Sequence, residues 1–119
     1  PVFDRQQGAK AEAAIAIRQA KERRVLAEGL IRNEITVAFQ QLETARKALL
    51  ALESNVLPRS RENIETIRSV YQIGQIKITD LLAEQRRLID ANRDVTEALT
   101  RKYRAEADLF IALGLTFDK

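Results

Sequence analysis

Ala13, Ile17, Ala20, Ala27, Ile31, Ile35, Ala38, Leu42, Ala45, Leu49, Leu52 and Val56 follow one another in steps of three, four or seven residues. That rhythm is the seam of a coiled coil, because a helix keeps one face toward a partner only if its apolar residues recur about every 3.5 positions. A strand, whose side chains alternate every two residues, scatters the same set over both faces. Long amphipathic helices are therefore the expected element. Between Ala27 and Ile35 two consecutive steps of four occur around Gly29, a stutter that locally unwinds a supercoil without ending the helix.

Composition agrees with the rhythm. Only 4 glycines and 2 prolines interrupt 119 residues dominated by good helix formers, and 45% hydrophobic content comes with 5% aromatic, which favours long helices over a compact globule. Strand content is expected to be close to nil. The chain has no cysteine, histidine, methionine or tryptophan, so the usual soft and imidazole metal ligands, the thiol nucleophile and the imidazole base are all missing. Neither enzymatic activity nor a cofactor or metal site is expected. Lys and Arg outnumber Asp and Glu by 20 to 17, for a net charge of +3, and the signs interleave along the chain, the pattern of a solvated helix surface. The apolar run "LFIALGLTF" has nine residues, well short of the roughly 20 that a membrane helix needs. The opening "PVFDRQQG" lacks a methionine and an export signal, which suggests a fragment or a processed chain.

Two places could break the helix. Pro58 lies in "ESNVLPRSREN", yet Leu50, Leu57, Ile64 and Tyr71 keep a seven-residue spacing through it, so a kinked but continuous helix is expected there, with a helix end at Ser54 to Leu57 as the alternative. Gly74, in "YQIGQIKITDLLAEQRRL", follows the last periodic residues, and Thr79 and Asp80 offer a polar cap and a first-turn negative charge to a new helix. The expected organisation is an all-α, long antiparallel helical hairpin with a helix over about 9–72, a tip turn over 73–78 and a helix over about 79–113. In the second helix the seam resumes at Leu88, Ala91, Val95, Ala98, Lys102, Ala105, Leu109 and Ala112, and Gly114 closes it. Alanine at every seventh position from Ala91 to Ala112 lets a neighbouring helix approach closely. The helices are unequal, about 64 and 37 residues, or roughly 95 and 55 Å at about 1.5 Å per residue. The second is expected to pack against residues 36–72, leaving the stripe over 9–35 without a partner in this chain, so self-association of the isolated chain is expected.

These segments, in this order, resemble the outer-membrane efflux proteins, the TolC-like outer-membrane factors of tripartite export systems, and specifically the second of their two internal repeats. "PVFDRQQG" is similar to the point where a barrel strand hands over to the long periplasmic helix, "YQIGQIKITDLLAEQRRL" to the turn at the far periplasmic tip, and "ADLFIALG" to the end of the returning helix. The resemblance implies a homotrimer forming one tube, a β-barrel in the outer membrane continued by a helical periplasmic tunnel, with the barrel strands absent from this chain. It further implies a passive gated conduit that docks a periplasmic adaptor at its tip and is powered by an inner-membrane pump.

Carried onto this sequence, the resemblance places Asp80 where a carboxylate ring faces the tunnel and Tyr71 where an aromatic latches the closed tip, so both are candidates for the channel constriction. Asp80 is equally explained as a first-turn aspartate favoured by the helix dipole, and Tyr71 as a heptad residue. Gly74, Gln75 and Ile76 form the expected adaptor-docking tip. The sequence departs from the best-known tip: Ile76 and Ala83 stand where a basic residue and a second acid can occur, which argues against a charged latch of that design. "FDRQQG" is reminiscent of the heavy-metal branch of the family, although nothing in the chain could ligate a soft metal ion. Two alternatives accompany this reading, the coiled-coil hairpin of a periplasmic adaptor and a basic helical hairpin gripping nucleic acid. The second requires Arg and Lys gathered on one stripe, whereas acidic residues interleave with them here.

Overall fold

A computed structural model describes residues 2–115, and every element in them is helical. Helix α1 spans Val2–Ala51, a π-helical turn spans Leu52–Val56, α2 spans Leu57–Gln72, and α3 spans Ile78–Ala112. The last three elements and the end of α1 form an antiparallel hairpin. The chain divides into two units at Val37 and Ala38.

The second unit, from Ala38, holds all eight buried residues among those described: Ala38, Leu42, Leu49, Ile64, Leu81, Ala91, Ala98 and Ala105. Each buried leucine or isoleucine contributes about 1.5–3 kcal/mol, while the alanines of α3 contribute chiefly by letting the helices approach. The expected seam of α3 is the observed one, with Leu88, Val95, Lys102, Leu109 and Ala112 half-buried between the buried alanines. Two heptad positions carry charge. Glu84 pairs with Arg87, and Lys102 lies 3.7 Å from Glu106, which in turn reaches Arg46 of α1 at 3.9 Å. Arg46 and Glu106 are equidistant in sequence from Ile76, which fixes the register of the antiparallel pair.

Pro58 does not end the helix. The Leu57 N–H donates to the Leu52 carbonyl, five residues back rather than four, and Pro58 follows inside the first turn of α2. The widened turn has a clear reason. Up to Leu52 the packed positions are Ala38, Leu42, Ala45, Leu49 and Leu52; beyond it they are Leu57, Ser60, Ile64 and Ile67. The two series are one residue out of phase, and a π-turn absorbs one extra residue. A proline just after it costs little, because its missing N–H would have deprived a carbonyl that the wide turn already leaves without its α-helical donor. Two expectations need correction as a result. Val56 is 42% exposed instead of lying in the seam, and the line Leu50, Leu57, Ile64, Tyr71 is not one buried face, since Leu50 is 64% and Tyr71 37% exposed.

The first helix also begins earlier than residue 9. Residues 2–8 are helical, with Asp4 in the first turn, where a negative charge suits the dipole, so the strand-to-helix transition implied for "PVFDRQQG" is not found in the described residues. Gly8 and Gly29 lie inside the helix, each costing it up to about 1 kcal/mol relative to alanine without breaking it. In the first unit every residue from Asp4 to Glu34 is exposed, as expected for a stripe without a partner in this chain.

Deletion of a single residue tests the π-turn. Removing Asn55 lets the Leu52-to-Leu57 step return to four, so the urea midpoint is expected to hold or rise. Removing Thr96 from α3 rotates the seam beyond it by about 100° and exposes Ala98 and Ala105, with an expected loss of at least about 2 kcal/mol. Equal damage from both deletions would refute the insertion account.

Candidate functional site at the hairpin tip

The tip is built by backbone hydrogen bonds. Helix α2 ends at Gln72, Ile73 is its C-cap, and Gly74 follows at φ +76°. The Gly74 N–H donates to the Tyr71 carbonyl at 2.9 Å and the Gln75 N–H to the Val70 carbonyl at 3.2 Å, the paired bonds of a Schellman motif. No atom lies within 4 Å of the point where a Cβ on Gly74 would sit, so glycine is required by the left-handed backbone and not by crowding. The same motif closes α3, with Gly114 at φ +74° donating to Ile111 and Leu115 to Phe110.

Helix α3 starts one residue earlier than expected. Its N-cap is Lys77, which leaves Thr79 inside the first turn rather than capping it. Asp80 performs the capping instead: its carboxylate accepts the Lys77 N–H at 3.3 Å, the glutamate half of a capping box, and its charge lies at the positive end of the helix dipole.

The turn therefore brings all five sequence-predicted residues to one end of the hairpin. Tyr71 is in the last turn of α2, Gly74, Gln75 and Ile76 lie in the reversal, and Asp80 is in the first turn of α3. Tyr71 and Asp80 are both exposed, and no hydrogen bond joins them within the chain. Ile76 departs from expectation. It is half-buried, while the exposed apolar residues of the tip are Ile73, at 67%, and Ile78, at 48%. Ile73 is the C-cap of α2 and Ile78 the first residue of α3, both off the heptad line. A shallow groove runs along the outside of α3, lined by Thr79, Leu82, Ala83, Arg86, Arg87 and Asp90. The tip thus combines an apolar end surface with a fixed carboxylate. Among the described residues no group of histidines, cysteines and carboxylates is arranged to hold a metal ion, and no helix is long and apolar enough to cross a membrane.

No family model, curated protein or solved structure matches this chain.

Substitution of the glycines is expected to give opposite signs. Gly74→Ala forces a Cβ into the left-handed region and should destabilise by about 1 kcal/mol, whereas Gly29→Ala, in a helix interior with open space around it, should raise helicity. Thermal melts and helical ellipticity measure both.

Proposed function

We propose that this chain is a stave of the periplasmic tunnel of an outer-membrane export channel, a passive gated conduit whose tip docks a periplasmic adaptor of a tripartite pump. The reading rests on the way α3 divides its surface. One face is the buried seam. To one side of it Leu82, Ile89 and Tyr103 stand at multiples of seven residues and are all exposed. Leu50 of α1 belongs to the same side, since it borders a groove shared with Arg46, Glu53 and Lys102, whose ammonium lies 5.4 Å from the Tyr103 ring centroid. The other side of α3 carries Arg87, Asp90, Asp94, Arg101 and Asp108.

A free two-helix coiled coil, such as an adaptor's hairpin, needs only its seam to be apolar. The exposed Leu82, Ile89, Tyr103 and Leu50 outside the seam support lateral packing against another hairpin, with the ion pairs of Arg46, Lys102 and Glu106 between them and the seam. Closing such a wall into a tube calls for repeated copies, and the family resembled uses a homotrimer. Asp80 then stands near the axis at the tip, where three carboxylates would form a cation-attracting ring. Ile73 and Ile78 supply the apolar end surface for the adaptor. The cargo follows from the family reading alone, with divalent heavy-metal ions as the candidate.

Planar-bilayer recording on the full-length channel tests the gate. Asp80→Asn keeps the side chain's size and much of its capping ability, so stability should change by less than about 1 kcal/mol, while conductance, cation selectivity or cation block should change clearly. Unchanged conduction with a lower thermal midpoint would assign Asp80 to capping alone.

The lateral face has its own test, separate from the self-association expected of the stripe over 9–35. Ile89→Glu with Tyr103→Glu should weaken oligomers of the channel, or of this chain at micromolar concentration, by at least about tenfold in sedimentation equilibrium, since burying an unpaired carboxylate is costly. Oligomers indifferent to both substitutions would remove the support for a stave.

A further inference from the structure

The first unit presents a helix face that the second unit does not resemble. Its stripe of Ala13, Ile17, Ala20, Ala27 and Ile31 is exposed throughout. At its middle the apolar pattern is interrupted by Arg24, which pairs with Glu28 at 3.0 Å. Lys21 and Arg23 stand about 80° to either side of the stripe's axis, at about 100° per residue, and have no carboxylate partner among the described residues. The centre of an apolar docking face is thus fenced by cations on both edges, with one more inside it.

We propose that this face docks an amphipathic α-helix of acidic character: an apolar heptad seam against Ala13–Ile31, with carboxylates flanking it at the level of residues 21–24. The apolar stripe sets the helical form of the partner, because ridges of alanine and isoleucine at heptad spacing accept knobs of the same spacing. The unpaired cations set its charge, since residues flanking a seam select partners by sign. A second copy laid parallel and in register stacks Arg24 on Arg24, and laid antiparallel about this level it brings Lys21 against Lys21 and Arg23 against Arg23. Only when slid by one heptad does it set Lys21 against Glu28, and that arrangement is the self-associated outcome the test below distinguishes. The inference stands on this face alone and is independent of the export-channel reading.

The test uses two labelled synthetic helices of about 28 residues, four heptads, with the same apolar seam. One carries glutamate and the other lysine at the seam-flanking positions of the two central heptads. In fluorescence anisotropy titrations with this chain, the glutamate peptide should bind at least about tenfold tighter than the lysine peptide at low salt. The gap should shrink in about 0.5 M salt as the Debye length shortens, and Lys21→Glu with Arg23→Glu should invert the preference. Circular dichroism of the double variant confirms that its helix is retained. Equal binding of both peptides, binding of neither, or a preference untouched by the charge reversal would overturn the proposal. So would a chain that dimerises at micromolar concentration through this face, recognised by loss of the dimer in Ile31→Glu and its persistence in Ile89→Glu, which would make the occupant a second copy.

Discussion

The hairpin depends on a seam in which the outgoing helix buries mostly large side chains and the returning helix mostly alanines. Leu42, Leu49 and Ile64, with Ala38, are buried on the outgoing arm of the hairpin, and Ala91, Ala98 and Ala105, with Leu81, on the returning one. Alanine has little apolar surface of its own to bury, so its contribution lies in distance: a helix lined with methyl groups permits an approach that leucine would hold off, and the facing aliphatics then lose their water. The cost of this economy is a thin core. No side chain is wholly out of water in the described residues, as befits two helices with nothing above or below them. Large apolar residues therefore remain outside the seam, and their arrangement carries most of the information about partners.

Continuity of that seam also accounts for the least regular part of the backbone. Both halves of the outgoing helix have a sound heptad pattern, and the halves disagree by one residue. An uninterrupted α-helix would have to expose Ile64 and bury Asn63, or expose Leu49 and bury Leu50 beside Arg46. Widening one turn to an i→i+5 bond costs less than either, and placing it just before Pro58 uses a position where the α-helical ladder is already compromised. The proline that looked like the interruption is a consequence-free neighbour of the true adjustment.

At the tip the same economy of means recurs. Asp80 is held by a bond to the Lys77 N–H and by the helix dipole, so its place at the end of α3 is accounted for without reference to any channel, and its exposure leaves it available for one. The two roles are compatible because a capping carboxylate retains free lone pairs. The position of Gly74 was readable because a helix that must reverse in a few residues needs a left-handed one. Ile73 and Ile78 were harder to see as surface, because a heptad reading has no place for aliphatics at helix ends and assigns the exposed apolar character to the nearby Ile76, which is half-buried.

The sequence by itself determined the helical class, the heptad seam of the returning helix and the reversal at Gly74. Each of these follows from local periodicity or backbone sterics, and none requires knowing what touches what. Tertiary structure alone decided which of two apolar frames is buried on each side of Leu52, where the extra residue is absorbed, that Ile76 is half-buried while Ile73 and Ile78 are exposed, and that Leu50 and Tyr103 share one side of the hairpin. These are choices between locally equivalent alternatives, and only the facing helix, by burying one set of side chains and leaving the other in water, distinguishes them.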